Sequence, residues 1–133
     1  MYVTLKRILL GQKFKMQRHE DRITKGIPDL SFATVGPNGW MHGWLELKYL
    51  AEWPKNPKTI VKVPKFYKEQ KIWLFTFGIG CFFLIQIDKD WLLFDHIKAF
   101  YVGTWTREDM ERNALKVWVG KPEVGELIPL LVD

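Results

Sequence analysis

The chain has 133 residues, of which 47% are hydrophobic, and 20 Lys and Arg stand against 15 Asp and Glu for a formal charge of +5. That length fits one domain, residues 1–133, able to bury about two-thirds of the surface of the unfolded chain. The strongly apolar run Cys81 to Ile87 falls far short of the roughly 20 residues that span a bilayer, and no signal-peptide block opens the chain, so the expectation is a cytoplasmic protein with no membrane association.

From the N-terminus, Leu5, Ile8 and Leu9 have helical spacing, and Phe14 to Arg18 alternates as a strand would. The runs Ile27 to Ala33 and Trp40 to Leu50 flank Gly36-Pro37-Asn38-Gly39, which predicts two antiparallel strands on a tight connection. After a loop rich in Pro and Lys, Pro64 suits the first turn of a helix running to about Phe77, with Phe66, Trp73, Leu74 and Phe77 as its apolar stripe and Gly78 as its stop. Cys81 to Ile87 reads as a central strand, Asp88-Lys89-Asp90 as a turn, and Trp91 to Phe94 as the returning strand. Thr106-Arg107-Glu108-Asp109 opens a short helix with a polar cap and acids in its first turn, and the pattern from Lys116 onward is ambiguous. The fold class expected from this order is α/β (α+β mixed), a central mixed sheet flanked by helices.

Charge is unevenly spread. Residues 1–28 hold seven Lys/Arg against two acids, and residues 55–71 hold six Lys against one. Two basic segments on an otherwise acidic chain suit a polyanion, because neutralised phosphates release condensed counterions. Arg18, Arg22 and Lys25 in the first segment and Lys62, Lys65 and Lys68 in the second are the candidate phosphate contacts. Seven Trp and nine Phe exceed what a minimal core needs, so some are expected at an interface. Cys81 cannot form an internal disulfide and, opening an apolar strand, reads as a buried inert thiol.

The chemistry-bearing group lies in the first hairpin: Pro28-Asp29 and, seventeen residues after Asp29, Glu46-Leu47-Lys48. Alternation along a strand puts Glu46 and Lys48 on one face with Leu45, Leu47 and Tyr49 on the other. Strand pairing can bring Asp29 beside Glu46, and two converging carboxylates share a proton or a cation. A few hard oxygen ligands suit Mg²⁺, with Mn²⁺ able to substitute. Such a metal polarises a phosphoryl oxygen and acidifies water, while the Lys48 ammonium can orient that water or meet the developing charge. Gln70, four after Phe66 and three before Trp73, is a polar residue inside the apolar stripe of its helix and needs a partner there.

Gly26-Ile27-Pro28-Asp29-Leu30 followed by Gly43-Trp44-Leu45-Glu46-Leu47-Lys48 resembles the signature of PD-(D/E)xK nucleases in wording and spacing. It looks closest to the VRR-NUC and phage Holliday-junction resolvase-like branch, in which a following helix carries Gln before an aromatic, as Glu69-Gln70-Lys71-Ile72-Trp73 does here. The resemblance covers residues 17–95. It implies a restriction-endonuclease-like sheet, a metal held by Asp29 and Glu46, Lys48 as a catalytic residue, Gln70 at the active site, and an acid from an N-terminal element, for which Glu20 is the choice. The early helix that usually carries that acid has none in this chain. His19 beside Glu20 can act on a proton or contact phosphate, whereas His42 and His96 show no partners in the sequence.

What the resemblance implies of function is a Mg²⁺-dependent endonuclease hydrolysing phosphodiesters in branched DNA, a Holliday junction or a flap, in the host cytoplasm for a phage-encoded protein. Nothing resembles a base-reading motif, so selectivity would come from DNA branching, ends or single-stranded character. Symmetric cutting of two strands needs two sites, which predicts a homodimer. The competing readings are a less selective nuclease that trims flaps or single strands or degrades host DNA, a catalytically silent DNA-binding module, and a host-directed protein acting through its aromatic surface.

Overall fold

The computed structural model of the chain describes residues 1–19 and 26–132. One six-stranded mixed sheet organises them, with strands in chain order from edge to edge: β1 (Phe14–Arg18), β2 (Leu30–Gly36), β3 (Gly39–Leu50), β4 (Cys81–Ile87), β5 (Asp90–Asp95) and β6 (Lys116–Val119). Neighbours are antiparallel except β3 and β4, which run parallel. A parallel pair needs a crossover, and the helix α2 (Lys68–Phe77) lies within it.

Period-two alternation sorts the side chains into two cores. Leu30, Phe32, Leu45, Phe82, Leu84, Trp91, Leu93 and Trp118 face one side, where Leu5 of the N-terminal α1 (Tyr2–Ile8), Leu9 just after it, and Leu127 and Leu131 from the C-terminal helix cover them. Phe83, Ile85, Ile87, Leu92 and Phe94 face the other, under Leu74 of α2, Ala99 of α3 (His96–Ala99) and Met110 of α4 (Arg107–Asn113). Both faces of β4 and β5 are therefore buried, which is why Cys81 to Ile87 reads as an apolar run rather than as an alternating one. Among the described residues no helix is long and apolar enough to cross a membrane.

The α/β class expected from the sequence is the observed one, and so are the first hairpin, the central strand and the Thr106-capped α4. Two expectations are corrected. Helix α2 begins at Lys68 rather than at Pro64, because Lys65 sits at φ 63° and Tyr67 is extended, so Pro64 belongs to a turn. Phe77 does not join the buried stripe, since it ends the helix exposed while its ring stacks on Trp73. The ambiguous tail resolves into β6, added to the sheet edge beside β5, and α5 (Val124–Val132).

Two glycines place the site within this frame. At Gly43 a Cβ would come within 2.2 Å of the Gly80 carbonyl oxygen, where β4 begins against β3. At Gly26 (φ 93°) it would come within 2.8 Å of the Glu69 carbonyl, so only glycine lets the chain leading to Pro28 and Asp29 press against α2.

Candidate active site

The hairpin register pairs Leu30 with Leu45, and one step further along both strands come Asp29 and Glu46. Asp29 is held from below: its Oδ2 accepts the backbone N–H of Leu47 at 2.9 Å, and its own carbonyl accepts the His19 N–H at 2.8 Å. Glu46, on β3 in the middle of the sheet, is fully buried, and its Oε2 has no hydrogen-bond donor among the described residues. Lys48 Nζ lies 3.5 Å from Glu46 Oε1 and donates to the Lys65 carbonyl at 2.8 Å. Lys65 is one of two non-glycine residues at positive φ among the described ones, a conformation that costs of order 1–3 kcal/mol, and it aims its carbonyl at the Lys48 ammonium.

Gln70 acts in two directions. Its Oε1 accepts the Tyr67 backbone N–H at 2.9 Å, satisfying an orphan donor at the start of α2, while its Nε2 donates to Glu46 Oε1 at 3.4 Å. An amide supplies both an acceptor and a donor; a carboxylate could cap the helix but would meet Glu46 as a like charge.

Burial, then the hydrogen bond and charge of Asp29, push the Glu46 carboxyl up from 4.5 to about 9, against the opposing pull of Lys48. Glu46 is therefore pushed towards its protonated form at neutral pH, the response expected of a buried carboxyl beside another acid, and a bound cation would reverse it. The donor set suits Mg²⁺: hard carboxylate oxygens, few in number, one of them buried without a donor among the described residues. A pocket of about 290 Å³ lined by Tyr2, Arg18, Asp29, Leu47, Lys48 and Tyr49 opens beside Asp29, and Glu46 does not line it. Among the described residues no three His, Cys, Asp or Glu side chains gather. Glu20, the expected third acid, and the cations Arg22 and Lys25 lie outside the described residues.

The remaining candidates fall around this centre. Arg18 is exposed, its guanidinium 5.2 Å from the centroid of the Tyr2 ring at the rim of the pocket. Lys62, Lys65 and Lys68 are exposed along the loop that leads into α2. Lys71 of the same basic segment is diverted: it donates to the Val102 carbonyl and sits over the Phe66 ring, and burial and Lys62 lower its pKa. His19 bonds the Ser31 hydroxyl at 2.8 Å and packs on Trp44. Sequence reasoning missed Trp40 and Trp44, which share the face of β3 that carries Glu46 and Lys48; the same alternation that singled out those two would have found them. No family model, curated protein or solved structure matches the chain.

Proposed function

We propose that the chain is a Mg²⁺-dependent DNA endonuclease of the PD-(D/E)xK type that hydrolyses phosphodiesters in branched DNA, with a four-way junction or flap as substrate. The observation that carries this reading is the cluster of Asp29, Glu46, Lys48 and Gln70, in which Lys48 and Gln70 reach Glu46 Oε1 while the buried Oε2 has no hydrogen-bond donor among the described residues. A buried acceptor without a partner costs about 1–3 kcal/mol, a cost that a bound cation would remove.

Asp29 and Glu46 would hold the metal, and Mn²⁺ would fit the same oxygens. When bound, Mg²⁺ polarises the phosphoryl oxygen and lowers the pKa of water. With Glu46 anionic, Gln70 Nε2 and Lys48 Nζ would fix its Oε1 and leave Oε2 free to ligate. The Lys48 ammonium, held by the Lys65 carbonyl, is in position to orient the attacking water and to stabilise charge on the phosphate. Arg18, Lys62, Lys65 and Lys68 supply backbone contacts without base specificity.

Two sites for two strands call for a second copy of the chain, and α2 and α3 offer it a surface. Ile72, Phe75, Ile79, Ile97, Phe100 and Tyr101 are all exposed there, with the Phe75 and Phe100 rings 5.6 Å apart. At about 200 Å² for a full aromatic side chain, these residues expose several hundred Å², in the range of one side of a two-fold interface. Residues 72–80 carry no charge, and Lys98 is the one charged residue among residues 97–101. The roles are separated by Asp29→Asn, which should abolish Mg²⁺-dependent cutting while junction binding, followed by gel shift, persists. Loss of binding in parallel with cleavage would refute the assignment.

A further inference from the structure

Every second residue of β3 from Trp40 to Lys48 lies on one face: Trp40, His42, Trp44, Glu46 and Lys48. The register extends this stripe sideways, setting Gln17 and Ser31 beside Trp44, Lys15 and Ala33 beside His42, and Val35 beside Trp40. The described helices on this side of the sheet pack over β4 and β5, and among the described residues of the face beside them Trp40 is 55% exposed and Lys15, Gln17, Val35 and His42 are exposed. A depression of about 470 Å³ follows it, lined by Lys15, Gln17, Ser31, His42 and Trp44 among others. At its inner end Trp44 meets the edge of Trp73, which stacks on Phe77, so an aromatic ledge borders the floor next to Glu46.

We infer that this face binds unpaired nucleotides and leads a single strand along β3 into the site at Glu46. The occupant follows from the chemistry of the surface. Indole rings offer stacking platforms that any base can use, and interleaved Lys15, His42, Gln17 and Ser31 offer cationic and hydrogen-bonding partners to phosphate and base edges. None of the eight face residues, Lys15, Gln17, Ser31, Ala33, Val35, Trp40, His42 and Trp44, is acidic. Trp40, the exposed indole of the stripe, is the platform that can receive a base, and Trp44, already packed against His19 and Trp73, closes the inner end of the face. Stacked bases inside a duplex cannot present their faces to such rings, so the surface discriminates against intact double helix. The inference takes the polymer from the proposed nuclease reading and narrows its substrate to DNA with an unpaired arm.

The test is fluorescence anisotropy of a labelled oligothymidylate and of a duplex, in EDTA, with the wild type, Trp40→Ala, Trp40→Phe, His42→Ala and Glu46→Gln, alongside cleavage assays with Mg²⁺. Trp40→Ala should weaken single-strand binding about tenfold, Trp40→Phe should largely restore it, and duplex binding and the circular dichroism spectrum should not change. Glu46→Gln should bind the single strand as the wild type does. If the strand contrast holds and no substrate is cut, the face binds nucleic acid and the nuclease reading falls. If DNA is cut but Trp40→Ala and His42→Ala bind single strands as tightly as the wild type, this inference falls and the nuclease stands. Self-association abolished in Trp40→Ala without any change in strand binding would assign the face to a second copy of the chain and overturn it as well.

Discussion

Glu46 makes stability depend on pH in an unusual direction. Its carboxyl is raised to about 9 in the folded chain from 4.5, by burial first and Asp29 second, so between those values the native state holds a proton that the unfolded state has released. Stability contributed at this position is therefore fully present below about pH 4.5 and is lost as pH rises through the neutral range. Urea denaturation in EDTA should show the wild type losing on the order of 2–3 kcal/mol at this site between pH 5 and 7.5, with Glu46→Gln losing much less; parallel pH profiles would contradict the raised pKa of the buried Glu46. Gln70 supplies a second prediction. Gln70→Ala removes the hold on Glu46 Oε1 and should lower the Mg²⁺-dependent cleavage rate about 10–100-fold without weakening junction binding, as loss of a partner that orients a ligand does. The proximity of Asp29, Glu46 and Lys48 was legible in the sequence because a tight hairpin and period-two alternation leave few ways to arrange them. Gln70 was legible as a polar residue at an inward position. The grip of the Lys65 carbonyl on Lys48 was not, because it depends on a left-handed backbone conformation at a residue that rarely adopts one.

At the scale of elements, those whose signals were local formed where expected. Thr106 caps α4 by accepting the Asp109 N–H while Asp109 reaches back to the Thr106 N–H, so Thr106→Ala should cost about 1 kcal/mol in urea denaturation. Leu84, fully buried in β4, should cost about 2–5 kcal/mol when cut to Ala. The start of α2 was misplaced by four residues because Pro64 is equally at home in a turn, and what decides between turn and helix is the tertiary demand of Lys48 for the Lys65 carbonyl. The tail was ambiguous for a similar reason. Lys116 to Val119 becomes a strand by pairing with β5, and the apolar stripe of α5 packs under β2, interactions that no local pattern in residues 116–132 contains.

The whole molecule sorts its surface by chemistry. Arg18 lines the pocket beside Asp29, whereas exposed apolar side chains on and after α2 and α3 lie around Phe75 and Phe100. If that apolar surface joins two copies, Phe75→Glu with Ile79→Asp should turn a dimer into a monomer in sedimentation velocity, and a wild type that sediments as a monomer would exclude the two-fold arrangement. Replacing Lys62, Lys65 and Lys68 with Ala should weaken DNA binding and flatten its dependence on salt by about 0.9 in log–log slope for each phosphate no longer neutralised, whatever the sequence bound. Phosphodiester hydrolysis at Asp29 and Glu46, as proposed, is decided by cleavage of labelled four-way junction, flap, duplex and single-stranded DNA by the wild type and Glu46→Gln, with Mg²⁺ or EDTA. Cutting of branched DNA that requires Mg²⁺ and vanishes in Glu46→Gln is the expected result; DNA bound but left intact by the wild type in Mg²⁺ and in Mn²⁺ would contradict it.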